Sequence, residues 1–117
     1  MTSSNLRSVS PHRYGRLAET WAVWWLRLHG YRLVARNLRV AGRELDIVAR
    51  RGHTLVVCEV KARRALQPAS EAVSPRQAQR LRDAAELLLA REPWARSVRL
   101  DLIAVSGLRV RHFRSAF

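Results

Sequence analysis

The sequence predicts an α/β domain in which a mixed sheet carries packed helices. Three observations predict it. An apolar pattern of helical period lies near the start, and two β-branched apolar runs joined by a short polar link follow. A second helical stripe then precedes two more extended runs, in the order α-β-β-β-α-β-β. At 117 residues, 48% of them apolar, the chain can bury one core and not two. Residues 1–12 accordingly read as a flexible N-terminal tail and residues 13–117 as a single domain.

Each element has its own warrant. From Tyr14 to Leu28, the residues Tyr14, Leu17, Ala18, Trp21, Trp24, Trp25 and Leu28 recur at three- and four-residue steps. That whole face, Trp24 and Trp25 included, is expected to pack on a core rather than to stack on bases. Gly30 ends the helix. Tyr31 to Val40 alternates as an extended segment, and Ala41-Gly42 supplies a turn. Glu44 to Arg50 (ELDIVAR) and Thr54 to Lys61 (TLVVCEVK) form a hairpin around Gly52-His53, glycine first as a type II′ turn prefers. Ala62 to Val73, with Pro68, has no period. Ser74-Pro75 opens the second helix, serine as N-cap and proline in the first helical position. Ala78, Leu81, Ala85, Leu88 and Leu89 carry its stripe to about Arg91. Val98 to Val105 is a strand, Ser106-Gly107 a turn, and Leu108 to Phe113 a last, basic strand.

Several function classes drop out. The most apolar stretch, Trp21 to Leu28, is broken by Arg27 and is too short to span a bilayer, and the N-terminus has no apolar signal region. The expectation is a cytoplasmic protein. One cysteine allows no internal disulfide, and Cys58, inside an apolar strand, reads as a core residue. His12, His29, His53 and His112 share no ligand spacing, so no zinc site is expected.

Charge points the other way. A net charge of +13 draws the protein to polyanions, of which nucleic acid is the commonest for a cytoplasmic domain. Arginine dominates, which also fits codon usage in a GC-rich genome. Lys61 is the only lysine among the 22 basic residues.

The hairpin explains why that lysine stands out. With Gly52-His53 as its loop, Asp46 faces Glu59, Glu44 faces Lys61, and all four side chains share one side. Directly opposed residues have Cβ atoms about 4.5–5.5 Å apart, where like charges repel. Two carboxylates there need a cation between them or a raised pKa. Hard oxygen ligands suit Mg²⁺, with Mn²⁺ as a substitute. The other reading is an ion-pair patch, Glu44 with Lys61 and Asp46 with an arginine. A lysine differs from arginine as a compact point charge able to hold a water or meet charge developing on phosphate. Glu19 shares its helical face with Gly15, Ala22 and Leu26 and points inward, or else is an acid favoured by the helix dipole and paired with Arg16. For Asp101, beside Arg99 on its strand face, a salt bridge is expected.

An ordered series of motifs over about residues 13–105 carries a family resemblance. It comprises Gly15-Arg16-Leu17-Ala18-Glu19, Gly30-Tyr31, Arg36-Asn37-Leu38-Arg39, Glu44-Leu45-Asp46-Ile47-Val48, Glu59-Val60-Lys61-Ala62-Arg63 and Leu100-Asp101-Leu102. The chain resembles the YraN-like family of small bacterial proteins, themselves predicted to be endonuclease-like. The resemblance implies a restriction-endonuclease-like αβββαβ core, similar to archaeal Holliday junction resolvases, here with an extra C-terminal strand. It also implies that Asp46 and Glu59 are metal ligands, with the Val60 carbonyl as a candidate third. Lys61 would orient the attacking water or stabilise the pentavalent phosphate, and Glu19 would be the helix-borne acid. Resolvase-like relatives suggest a homodimer. Two positions depart from the pattern: Arg43 stands where glycine is expected before the Glu-x-Asp motif, and Arg76 where the second helix usually carries lysine.

The expected function is therefore Mg²⁺-dependent endonucleolytic hydrolysis of phosphodiesters in nucleic acid, DNA and its branched forms foremost. Arg63, Arg64, Arg76 and Arg80 would grip phosphates beside the site, or else are solvated surface. The alternative is a non-catalytic basic nucleic-acid-binding module on the same fold.

Overall fold

The computed structural model describes residues 11–62 and 73–117. Helix α1 (Pro11–Leu28) leads into strands β1 (Arg32–Val40), β2 (Arg43–Arg51) and β3 (Thr54–Ala62). Helix α2 (Pro75–Arg91) and strands β4 (Ser97–Ser106) and β5 (Arg109–Phe113) complete the chain. The five strands form one sheet in sequence order, antiparallel except for β3 and β4, which run parallel across the α2 connection. This is the mixed α/β architecture the sequence predicts. Residues 1–10 of the expected tail, and Arg63 and Arg64, lie outside the described residues.

The turn chemistry accounts for the hairpins. Ala41 and Gly42 both have positive φ (54° and 76°), as a two-residue type I′ loop requires. At Gly52-His53 only the glycine does (62°), which matches type II′. Helix α2 opens with a capping box: Ser74 Oγ accepts from the Gln77 amide at 3.2 Å, and Gln77 Oε1 accepts from the Ser74 amide at 3.3 Å.

Each helix covers one face of the sheet. On one side Ala18, Ala22, Val23 and Leu26 of α1 pack on Ile47, Ala49, Val56, Cys58, Ile103 and Val105. On the other, Leu81, Ala84, Ala85 and Leu88 of α2 pack on Val40, Leu45, Val48, Leu55, Val57 and Leu100. The alanines let both helix axes approach the sheet, and each fully buried Leu, Ile or Val stabilises the fold by about 1.5–3 kcal/mol. Strand β3 lies at the centre with both faces covered, so residues 55–59 are buried without a break. Glu59 is the one charged residue in that run.

The face of α1 differs from expectation. Leu17, Trp24 and Leu28 are exposed, Trp24 to 53%, and the Arg27 guanidinium lies 5.3 Å from the Trp24 ring centroid. Ala18, Ala22, Val23 and Leu26 fill the centre of the contact, and Trp21 packs at its margin. Trp25 does pack against the core.

Candidate functional site

The site forms where the regular sheet stops. The β2–β3 ladder holds the expected register from Arg51 opposite Thr54 to Ile47 opposite Cys58, and ends there. The pairs of Asp46 with Glu59 and Glu44 with Lys61, expected from continuing that register, are not ladder pairs. On the other side of β2, Arg36 pairs with Ile47 and Leu38 with Leu45, and the intervening Asn37 and Asp46 are skipped. Asn37 has φ 51°, the left-handed conformation that asparagine tolerates best after glycine.

Alternation of side chains slips at this point. Leu45 and Val48 pack on the α2 side while Ile47 packs on the α1 side, although positions 45 and 47 of an undisturbed strand share a face. Of the four charged side chains expected on one side, Glu44, Glu59 and Lys61 line one cleft and Asp46 does not. Strand β3 keeps its parallel register with β4 as far as Ala62 opposite Val105, so it is β2 that departs. Across the gap the Val60 N–H donates to Asp46 Oδ2 at 2.9 Å, and the carboxylate replaces the missing backbone acceptor.

Glu59 sits beside Asp46 and is only 7% exposed. Burial first, and then the Asp46 charge and a carboxyl–carboxyl hydrogen bond, push its carboxyl up to about 7 against the pull of Lys61 and Arg43. Lys61 Nζ lies 3.7 Å from Glu59 Oε1, and Arg43 Nη2 donates to Glu59 Oε2 at 3.3 Å. The partner of Lys61 is thus Glu59 on its own strand, two residues away, and not Glu44.

Glu44 belongs to a second group. With the Asn37 amide oriented to satisfy its neighbours, its Nδ2 donates to Glu19 Oε1 at 3.0 Å and to Glu44 Oε1 at 3.2 Å. Glu19 reaches inward from α1 as expected, and its ionic partner is Arg36 at 3.9 Å rather than Arg16. Burial and then the Asp46 charge raise the Glu19 carboxyl, while Arg36 and Asn37 lower it. Glu19, Asp46 and Glu59 thus come together from three elements, with Asp46 in the middle.

A cleft of about 640 Å³ opens between the sheet and α2, and of these three acids Glu59 alone lines it. Arg39, Arg43, Glu44, Glu59 and Lys61 line its sheet wall, and Gln77 and Arg80 its helix wall. Arg80 therefore stands at the cleft as the sequence suggests, whereas Arg76 is exposed on α2 and does not line it. Among the described residues no three His, Cys, Asp or Glu side chains converge on one cation-sized position. The donor set is two neighbouring carboxylates, and this fits Mg²⁺, which commonly keeps several waters and takes one or two protein carboxylates. Val60 enters the geometry through its N–H.

Two residues of the site escaped sequence reasoning. Asn37 was legible only as part of a motif, although an asparagine within an extended run is a signal for left-handed backbone. Arg43 appeared only as a departure, and nothing in the spacing shows that it reaches Glu59. Asp101, by contrast, is fully buried and forms its expected salt bridge: Arg99 holds it at 2.8 Å, and His112 Nε2 at 2.6 Å and the Ser115 N–H at 3.0 Å complete its partners. Cys58 is buried, and burial raises its thiol far above the ordinary range, so it is inert packing.

Comparison with known proteins places the chain. The profile of "Uncharacterised protein family UPF0102" matches residues 18–105. A UPF0102 protein of Parvibaculum lavamentivorans is 45% identical over 112 residues, covering 93% of this chain and 84% of that one. One from Acidiphilium cryptum is 43% identical over 113 residues, covering 95% and 88%. Another, from Bartonella bacilliformis, is 41% identical over 105 residues, covering 88% and 86%. The chain belongs to the UPF0102 family, the YraN-like group of small bacterial proteins.

Proposed function

We propose that the protein is a Mg²⁺-dependent nuclease that hydrolyses phosphodiesters in nucleic acid, with Asp46 and Glu59 as metal ligands and Mn²⁺ as a substitute ion. One observation carries the reading: the buried Glu59 carboxyl is pressed against Asp46 at the end of an arginine-lined cleft. No packing advantage explains two acids placed so, and a divalent cation would relieve their repulsion.

Bound Mg²⁺ would supply Lewis-acid polarisation of the scissile phosphate and a more acidic water. The chain's own residues do the rest. The Val60 N–H fixes the Asp46 carboxylate. Lys61, tethered 3.7 Å from Glu59, presents its ammonium to the attacking water or to the charge that develops on phosphorus. Glu19, held by Asn37 and Arg36, is the helix-borne acid beside Asp46. Arg39 and Arg80 line the cleft and hold phosphates there, and Arg63, Arg64 and Arg76 are further candidate phosphate contacts.

The substrate we propose is DNA, branched forms included, and the working compartment is the cytoplasm. No helix among the described residues is long and apolar enough to cross a membrane. A homodimer would let two such sites cut two strands. The second reading is a non-catalytic nucleic-acid-binding module. It draws on the same +13 charge and on the lack, among the described residues, of a third metal-ligating side chain at the site.

The deciding experiment incubates the purified protein with single-stranded, duplex, flapped and four-way-junction DNA, and with RNA, in Mg²⁺ or Mn²⁺. Asp46→Asn, Glu59→Gln and Lys61→Ala are run beside it. Cleavage by wild type that all three variants lose supports the nuclease. Salt-sensitive binding that is indifferent to Mg²⁺ and to Asp46→Asn, with no cleavage, supports the binding module.

A further inference from the structure

Two guanidinium–carboxylate pairs in this protein are built very differently. Arg99 meets Asp101 with both Nε (2.9 and 3.2 Å) and Nη2 (2.8 Å), and the same Nη2 donates to Tyr31 Oη at 2.7 Å. That is a satisfied, bidentate, structural arginine. Arg43 meets Glu59 through one Nη2 alone, at 3.3 Å, longer than a charge-assisted bond prefers. Its Nε is buried and makes no hydrogen bond. An unsatisfied buried donor costs free energy, so this arrangement is not an optimum for a permanent tie. Lys61 stands at the other oxygen of Glu59, so the carboxylate keeps one cationic partner when Arg43 leaves it. Arg43 also lines the cleft, with Arg39 on the same sheet wall and Arg80 on the helix wall.

We propose that Arg43 is a substrate-positioning residue that competes with the divalent metal for Glu59. It neutralises that carboxylate in the metal-free protein and turns to a substrate phosphate when the metal takes its place. The inference rests on the metal site proposed above at Asp46 and Glu59. It makes Arg43 a switched contact: the guanidinium leaves a single poor hydrogen bond for the bidentate fork that phosphate oxygens offer. Binding of metal and of nucleic acid are then coupled through one side chain, because a ligand that frees Arg43 adds a contact for the other.

The test is a Mn²⁺ titration of wild type, Arg43→Ala, Arg43→Gln, Asp46→Asn and Glu59→Gln, read from the electron paramagnetic resonance signal of free Mn²⁺. Arg43→Gln removes the charge while keeping most of the stem, so one neutral variant is measurable even if the alanine folds poorly. Removing the competitor is expected to tighten Mn²⁺ binding about three- to tenfold. A second readout is the salt dependence of binding to a short phosphorothioate DNA duplex, with and without Mn²⁺. The change that Mn²⁺ causes in the slope of log K against log salt should differ between wild type and Arg43→Gln by one phosphate contact, about 0.9 on a duplex. Mn²⁺ affinity that is unchanged or weaker in both Arg43 variants, while Asp46→Asn and Glu59→Gln lose the ion, overturns the role of Arg43 and leaves the metal site standing. Mn²⁺ binding that none of the carboxylate variants alters overturns both.

Discussion

Asn37 and Asp46 lie across from each other, unpaired, between the Leu38–Leu45 and Arg36–Ile47 pairs of the β1–β2 ladder, which shifts register further on, between Leu33 and Ala35. The left-handed backbone of Asn37 and the slipped phase of β2 are two sides of one defect, and that defect frees the Asp46 carboxylate to meet Val60 and Glu59. Such a position should be sensitive to backbone preference. Asn37→Ala is expected to destabilise the fold by about 1–2 kcal/mol, because a Cβ without a polar side chain disfavours φ of 51°. Asn37→Gly keeps the conformation at no steric cost and should be the milder change, although it loses the contacts to Glu19 and Glu44. Urea denaturation of the two variants checks the order; a glycine as damaging as alanine would show that the side-chain bridge, not the backbone, matters.

The buried Glu59 carboxylate should cost the metal-free protein stability. Its carboxyl is raised from 4.5 to about 7 on folding, so the folded state holds a proton that the unfolded state has released between those values. Stability is therefore highest at and below the unfolded value and falls as pH rises towards 7, by up to about 3 kcal/mol from one-site linkage. Glu59→Gln removes that slope. In metal-free buffer at pH 8 it should melt higher than wild type, a stability gain bought with the loss of cleavage. Thermal melts of both proteins from pH 4.5 to 8 in a chelator provide the check, and a variant that keeps the wild-type slope assigns the pH dependence elsewhere.

How far the sequence reaches can be judged at this same hairpin. Gly52-His53 sets the register, and that register holds for every pair down to Ile47 and Cys58 because loop type alone fixes it. It fails one pair later, where a single left-handed residue on the neighbouring strand takes over. Strand-local reasoning has no access to that residue, because its effect passes through β1 to β2. Asp46, Glu59 and Lys61 still meet, because all three lie within a side chain's reach of the divergence. Arg43 was illegible for a different reason. Its contact with Glu59 depends on which way a long side chain folds back from a turn, and neither period nor spacing encodes that. On α1 the predicted face is met in part: Ala18, Trp21 and Trp25 pack on the core, while Leu17, Trp24 and Leu28 are exposed.

Asp101 should govern acid stability. It is fully buried, and although burial pushes its carboxyl up, hydrogen bonds from His112, Arg99 and the Ser115 N–H outweigh this and hold it below the ordinary 3.8. A depressed carboxyl contributes stability that is complete above its unfolded value and is lost as pH falls through the folded one. Wild type should therefore lose stability below about pH 4, and Asp101→Asn should show a flatter profile there. At pH 7 the same variant should be destabilised, since the partly exposed guanidinium of Arg99 loses its counter-charge and the buried position keeps only a neutral amide. Denaturant midpoints from pH 2.5 to 7 measure both effects, and equal acid sensitivity in the variant rejects the assignment.

Lys61 is the residue on which the nuclease reading and composition meet. Its ion pair with Glu59 is 3.7 Å long, a contact that an arginine could make equally well, in a chain whose other basic positions are all arginine. If Lys61 only balanced charge, Lys61→Arg would be silent. If its ammonium acts on water or phosphate, the planar guanidinium is the wrong shape for the task. Lys61→Ala is then expected to lower kcat by about 10²–10³ with little change in KM, because the interaction forms only in the transition state. Lys61→Arg should recover thermal stability but no more than a small part of the rate. Steady-state cleavage in Mg²⁺, measured on whichever nucleic acid the wild type cuts, separates the two cases: full activity in Lys61→Arg would reduce Lys61 to a counter-ion for Glu59.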